Sequence, residues 1–282
     1  MKRNFILLLF GCCLLSAFSQ HDDARKYALK LITNHFQLGH TELYDAYLSP
    51  LYYRGHVLQY NHHTRRYFNP EKTTLSRDNL LSTSTGLLSN PAGTASMVYL
   101  DFRYGWGVHY HFRPVKNLQI LAGGIADAGV AYKMIARNVN NPVNVDIATN
   151  INLSAVVQYK IPLRRRDLLL QATLMTPVWG LMFVPEKGAS YYEVVSLNNF
   201  RNTFHHSSFH NKYGLTHQCT IDIPFKKSVL QVGYAFRRQT HQANELVFKN
   251  TASCFLIGWR CELHAFAGRK TKIPDNFISP NP

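Results

Sequence analysis

The chain has 282 residues, 46% of them hydrophobic and 17% charged, with a formal net charge of +15. Such a balance can mark a nucleic-acid binder, but the basic residues are scattered over turns and alternate strand positions instead of forming one stripe. An arginine-lined interior or contact with anionic lipid headgroups accounts for that distribution better, and no nucleic-acid partner is expected.

Met1-Lys2-Arg3, an apolar run from Phe5 to Leu15, and the small residues Ala17 and Ser19 before Gln20 make residues 1–19 a secretory signal peptide. No later stretch offers about 18 unbroken apolar residues, so no transmembrane helix is expected. An exported chain without such a helix can still enter a bilayer as a closed barrel, because every backbone group is then paired. Mean hydropathy, −0.19, does not argue against this, since a barrel distributes its apolar residues at alternate positions. Removing the signal leaves Cys219, Cys254 and Cys261, which is no disulfide framework.

Residues 20–48 read as an N-terminal segment or a first strand, with a short amphipathic helix around Arg25–His35 as an alternative. A strand fits Leu51–Tyr60, a connection follows from His62 to Thr73, and Leu75–Leu88 reads as the next strand. Asn90-Pro91-Ala92-Gly93 is turn chemistry.

The strongest signal lies between residues 97 and 136. Val98, Leu100, Phe102, Tyr104, Trp106, Val108, Tyr110 and Phe112 share one parity, and Asp101, Arg103, His109 and His111 share the other. Period two means a strand with one apolar and one polar face. After a turn at Arg113–Asn117 the pattern resumes from Leu118, with Asp127 and Lys133 on the polar parity, as is Arg137. From Val98 to Phe112 such a strand spans roughly 46 Å at about 3.3 Å per residue. Tilted by about 45°, it crosses roughly 33 Å, enough for a bilayer's apolar band and its aromatic girdles. A long hairpin in a secreted β-sandwich is the alternative.

Residues 145–161 alternate as cleanly, with Asp146 and Lys160 on the polar parity. Pro162–Asp167 is a basic turn, and Leu168–Phe183 returns, with Pro177 marking a bulge or the membrane edge. Residues 184–212 form a long histidine-rich loop, or a loop with a hairpin that uses Tyr191–Leu197. Strands follow at Lys212–Ile223 and Val229–Arg238, then a loop near Gln239–Lys249. A last strand puts Arg260 and Glu262 opposite Phe255, Ile257 and Trp259, with Arg237 inward on the strand before. The short connections 113–117, 162–167 and 224–228 alternate with longer ones, as periplasmic turns alternate with external loops.

Several stretches resemble an uncharacterised family of exported proteins of Gram-negative gut anaerobes, known only as a domain of unknown function. These are Tyr47-Leu-Ser-Pro50, Asn90-Pro-Ala-Gly93, Tyr104-Gly-Trp106 through Phe112-Arg-Pro114, and Leu121-Ala-Gly-Gly124 with Asp127. Arg137-Asn138 with Asn140-Asn-Pro142, Ser190-Tyr-Tyr-Glu193 and His210-Asn211 complete the set. The resemblance covers nearly the whole mature chain. It implies an outer-membrane β-barrel and carries over no catalytic residue. Many outer-membrane proteins end on a terminal aromatic, whereas Phe266 here precedes a tail, which would make any insertion signal internal.

The expectation is therefore an all-β, antiparallel up-and-down transmembrane barrel over residues 49–266, of about 10 strands or 12 with a hairpin in 184–212, followed by a tail at 267–282. The chain is expected in the outer membrane as a monomer whose partner is lipid. Its lumen should hold Asp101, Arg103, Asp127, Lys133, Arg137, Asp146, Lys160, Arg237, Arg260 and Glu262 as a polar network. A plugged structural or binding barrel is the leading reading, because buried charges must pair. A small pore, a channel for a hydrophobic ligand and a lipid-modifying hydrolase are the alternatives. No cofactor, metal or enzymatic activity is expected. His205, His206 and His210, with His217 nearby, lack accompanying carboxylate or cysteine ligands. Ser207 or Ser208 with His210 lacks any G-x-S-x-G context.

Overall fold

A computed structural model describes residues 27–138, 141–164, 167–225, 228–263 and 277–280. The predicted signal peptide and most of the predicted tail lie outside these residues. Ten antiparallel strands close into a barrel. They are β1 (Lys30–Asp45), β2 (Ser49–Tyr67), β3 (Leu75–Ser89), β4 (Ser96–Val115), β5 (Leu118–Met134), β6 (Val143–Pro162), β7 (Asp167–Phe183), β8 in two segments (Phe204–Ser208 and Lys212–Pro224), β9 (Val229–Ala243) and β10 (Leu246–Leu263). Each strand pairs with the next, and β10 returns to β1 in register from Phe248↔Asp45 to Leu263↔Lys30. Closure leaves no open sheet edge.

Two connections shrink, two open alternatives are decided, and the barrel begins before residue 49. Residues 30–45 form the first wall strand and not a helix, because only that strand can satisfy the free edge of β10. The connection expected from residue 62 is strand as far as Tyr67. The loop expected near 239–249 shrinks to Asn244 and Glu245, both with positive φ (49° and 61°), which is the geometry of a tight hairpin turn. Residues 191–197 contribute no hairpin strand. They hold one π-helical turn, Tyr192–Ser196, which leaves the count at ten. Near Pro177 the β6–β7 register shifts between Ile151 and Asn152, a bulge at the residue that cannot donate to the ladder.

Alternation sorts the residues as the sequence predicts. Leu100, Phe102, Tyr104, Trp106, Leu153, Phe255 and Ile257 are exposed on the outer wall, while Met97, Tyr99, Asp101, His109 and His111 are buried inside. In a soluble protein this outer wall would be an apolar patch far beyond the usual few hundred Å². Aromatic contacts line the outer face of β1 at its middle and at its Asp45 end. Phe36 meets Tyr60 and Trp259 with ring centroids 5.2 and 6.2 Å apart, and Tyr44 meets Tyr52 at 4.9 Å. The Tyr44–Tyr52 pair, at the strand end, suits an interfacial girdle.

The three connections expected to be short, together with 68–74, lie at the end where β1 begins and β10 finishes, the short-turn end. At the opposite end lie the connections 46–48, 90–95, 135–142, 184–203 and 244–245. Beside the short-turn end, Tyr27–Ala28 pairs in parallel with Phe277–Ile278.

Candidate functional site in the barrel lumen

The interior is polar and layered. At the long-loop end, Lys133 on β5 is fully buried. Its ammonium donates to Asp45 on β1 and to Asp146 on β6, the latter at 2.6 Å, and stands 4.3 Å above the Phe248 ring. Asn144 donates to the same Asp45 carboxylate at 2.7 Å. Beside this layer pack Leu43, Leu48, Tyr53, Leu88, Met97, Tyr99 and Ile135. The 184–203 connection folds over the mouth. The Tyr191 hydroxyl accepts the Val145 N–H at 2.6 Å and donates to Asn144 at 2.7 Å, and the Tyr47 hydroxyl donates to the Ala189 carbonyl at 2.8 Å. Burial, then the charges of Asp45 and Glu193, push the Tyr47 hydroxyl up to about 12, so it stays a donor at any physiological pH.

The middle layer joins one pair across the lumen to several between neighbouring strands. Arg237 reaches Asp101 at 3.5 Å and Arg103 reaches Asp127 at 3.6 Å. Asn150 and Asn152 both donate to Asp127, at 2.7 and 2.5 Å, and the Lys212 ammonium donates to Asn150 at 2.6 Å. Below lies a cavity of about 170 Å³. Its lining includes His35, His63, Arg65, Arg103, His109, Ser154, Arg237 and Arg260.

One wall of that cavity is a network around Asp78 on β3, whose side chain is fully buried. Oδ1 accepts from Arg65 Nε at 2.7 Å and meets His63 Nε2 at 2.6 Å. Oδ2 meets His109 Nδ1 at 2.8 Å. The far nitrogen of His109, Nε2, lies 2.9 Å from Ser154 Oγ on β6. Ser76 links Asp78 to His111, whose other nitrogen meets Gln119 at 2.6 Å. At the short-turn end Arg260 on β10 pairs with Asp222 on β8 and donates to Gln171 at 3.0 Å.

These contacts show that the interior is not the arginine-lined one that the net charge allowed. Arg65, Arg103, Lys133, Lys212, Arg237 and Arg260 inside are matched in number by Asp45, Asp78, Asp101, Asp127, Asp146 and Asp222. Among the described residues the interior is thus near neutral.

Of the residues expected in the network, Asp101, Asp127, Lys133 and Arg260 are buried inside, and Arg103, Asp146 and Arg237 are largely buried there. Three stand elsewhere. Arg137 is exposed beyond the end of β5 and donates to the Thr94 carbonyl at 2.8 Å, because the strand ends at Met134 and the parity no longer applies. Lys160 lies near the end of β6 and pairs at 3.0 Å with Asp167, both substantially exposed. Glu262 is half-buried at the last turn of β10 and accepts from Ser279. Asp45, Arg65, Asp78, Lys212 and Asp222 were missed. Asp45 and Arg65 lie on stretches whose alternation the sequence left unphased, although extending strand parity through 30–45 and 62–67 would have found both.

The histidine-rich segment does not converge. His205 points inward, while His206 points outward, stacks on His210 at 6.0 Å and packs against Trp179 at 5.6 Å. Ser208 and His210 do touch, at 2.5 Å, but on an exposed turn. Among the described residues no group of three or more His, Cys, Asp or Glu is placed to hold a metal ion.

A family model described as "Protein of unknown function (DUF3316)" matches residues 6–270. No curated protein matches the chain. Among solved structures, the outer membrane protease OmpT from Escherichia coli is similar with a TM-score of 0.51 at 10% identity, over 88% of this chain and 99% of that one. The translocator domain of the autotransporter NalP from Neisseria meningitidis has a TM-score of 0.43 at 10% identity, over 86% and 90% of the two chains. The transport unit of the autotransporter AIDA-I from Escherichia coli has a TM-score of 0.42 at 9% identity, over 87% and 93%. At such identities the likeness to OmpT shows the fold alone, an outer-membrane type of β-barrel.

Proposed function

We propose a role for a chain that belongs to the DUF3316 family, a family of unknown function: it is a monomeric integral outer-membrane barrel whose closed lumen holds a small polar molecule and does not conduct solute. The observation that carries this reading is the Lys133 layer. A fully buried ammonium clamped between Asp45 and Asp146 ties β5 to β1 and β6 at the long-loop end, with the apolar cluster beside it and the 184–203 connection bonded above. Opening a path there means separating buried charges, which costs several kcal/mol. The near-neutral interior also lacks the ring of one sign that an ion-selective pore uses.

The outer wall supports membrane residence with the short turns on the periplasmic side, and the basic turns provide contacts for anionic lipid headgroups. Heat-modifiable mobility on urea-washed outer membranes tests the location. Release by urea without a mobility shift would make the chain a peripheral protein. Planar-bilayer recording tests the closure. The wild-type barrel should give no conductance steps, and Lys133→Ala should give them. Steady steps from the wild type would replace the closed barrel with a small pore.

A further inference from the structure

The interior holds a Ser-His-Asp arrangement that no sequence motif marks, because its members come from three different strands. We propose that Ser154, His109 and Asp78 form an esterase-type site opening on the lumen cavity. Asp78 Oδ2 lies 2.8 Å from His109 Nδ1, and His109 Nε2 lies 2.9 Å from Ser154 Oγ. Such sites are recognised by geometry and roles, and chain order varies between folds. Asp78 is the positioning residue. Its carboxylate, paired with Arg65, can only accept, so it holds the imidazole proton on Nδ1 and leaves Nε2 facing the serine hydroxyl.

The sheet is built for this reach. His109 on β4 is in register with Gly123 on β5, and Gly123 is in register with Ser154 on β6. A Cβ at Gly123 would stand 1.9 Å from the Val108 carbonyl oxygen and 2.8 Å from His109 Cα. With no side chain there, the imidazole passes over one whole strand to meet the serine. His109 and Ser154 both line the cavity, whereas Asp78 does not. That is the layering a nucleophile and base need, with the orienting carboxylate behind them.

In the reaction, Ser154 Oγ adds to the carbonyl carbon of an ester while His109 Nε2 takes its proton. The tetrahedral adduct expels the alcohol, which leaves with that proton. Water then adds to the acyl carbon, giving a proton to Nε2. The acid departs, and Ser154 regains the proton. A volume of about 170 Å³ is close to that of an engineered cavity that takes benzene, so the substrate is a small ester. Arg237 lines the same cavity with Nε and Nη2 buried and unbonded to any described residue. Those donors fit an anionic group on that ester.

The test uses the full barrel in detergent with diisopropyl fluorophosphate, a small reagent that phosphorylates an activated serine with loss of fluoride. Intact-mass and peptide analysis should find one adduct, on the peptide bearing Ser154. Ser154→Ala should abolish it, Ser208→Ala should leave it, and His109→Gln should slow it by about 100-fold or more, with heat-modifiable mobility kept in each. A 4-nitrophenyl ester carrying a carboxylate should be cleaved faster than its neutral counterpart, with Arg237→Gln removing the preference. No adduct on the folded wild type, an adduct surviving Ser154→Ala, or wild-type labelling in His109→Gln would each overturn the proposal. Equal cleavage of the two esters would overturn the anionic assignment. The inference rests on the closed, ligand-holding lumen. Conductance from a barrel that labels would overturn the closure and leave the serine, and a silent barrel that never labels would do the reverse.

Discussion

Lys133→Met removes the central charge of the long-loop layer and leaves Asp45 and Asp146 buried without it. At 2.6 Å and an effective dielectric of about 20, the contact to Asp146 is worth roughly 6 kcal/mol of Coulomb energy. Much of that only offsets desolvation of the ions. The consequence of removing one partner is the penalty of the uncompensated remainder, about 3–5 kcal/mol for a buried pair. With a urea slope of about 1–3 kcal/mol per molar, the unfolding midpoint should fall by at least about 1 M. Tryptophan fluorescence of the barrel in detergent micelles reads it. The triple variant D45N/K133M/D146N carries no buried charge in this layer and should recover most of the loss. A Lys133→Met barrel within about 0.5 kcal/mol of wild type would refute the reasoning, since it would mean that the carboxylates do not depend on the ammonium.

Other predictions follow from single contacts. Gly39→Ala places a Cβ 2.0 Å from the Ser253 carbonyl oxygen, on the β1–β10 seam that closes the barrel, so it should abolish the heat-modifiable form on gels. Glu245→Gly relieves a positive φ of 61° at the loss of an exposed pair to Lys187. It should stabilise the barrel by about 0.5–1 kcal/mol, read as a higher urea midpoint, because exposed pairs contribute little. Tyr191→Phe loses the hydrogen bonds to Asn144 and Val145 and should expose the 184–203 connection to limited proteolysis on intact cells. Trp259 and Trp106, exposed on the outer wall, should be quenched by brominated acyl chains. A lack of quenching would remove that wall from the bilayer.

What could be read from the sequence was whatever obeys a local rule. Strand parity between 98 and 112 assigned Asp101 and Arg103 inward and Phe102 and Trp106 outward, because successive side chains point to opposite faces whatever surrounds them. Arg137 and Lys160 show where that rule stops. Parity continues on paper past the point where a strand ends or reaches the rim, and only the wall's real length says whether the side chain still has an interior to enter.

The sequence by itself therefore determined the class of protein: long alternating strands and turn chemistry, with an apolar face too extensive for an ordinary soluble domain. Tertiary structure decided how the polar faces meet. Residues 30–45 become a wall strand only because β10 presents an edge that must be paired. Lys133 finds Asp45, 88 positions away, because closure brings β1 across from β5. Ser154 finds His109, 45 positions away, across a glycine on the strand between them. Ser208 and His210, neighbours in sequence, meet only on an exposed turn. Local spacing fixes which way a side chain points, whereas what it touches inside a closed barrel depends on register and curvature around the whole ring, and no window of sequence contains those.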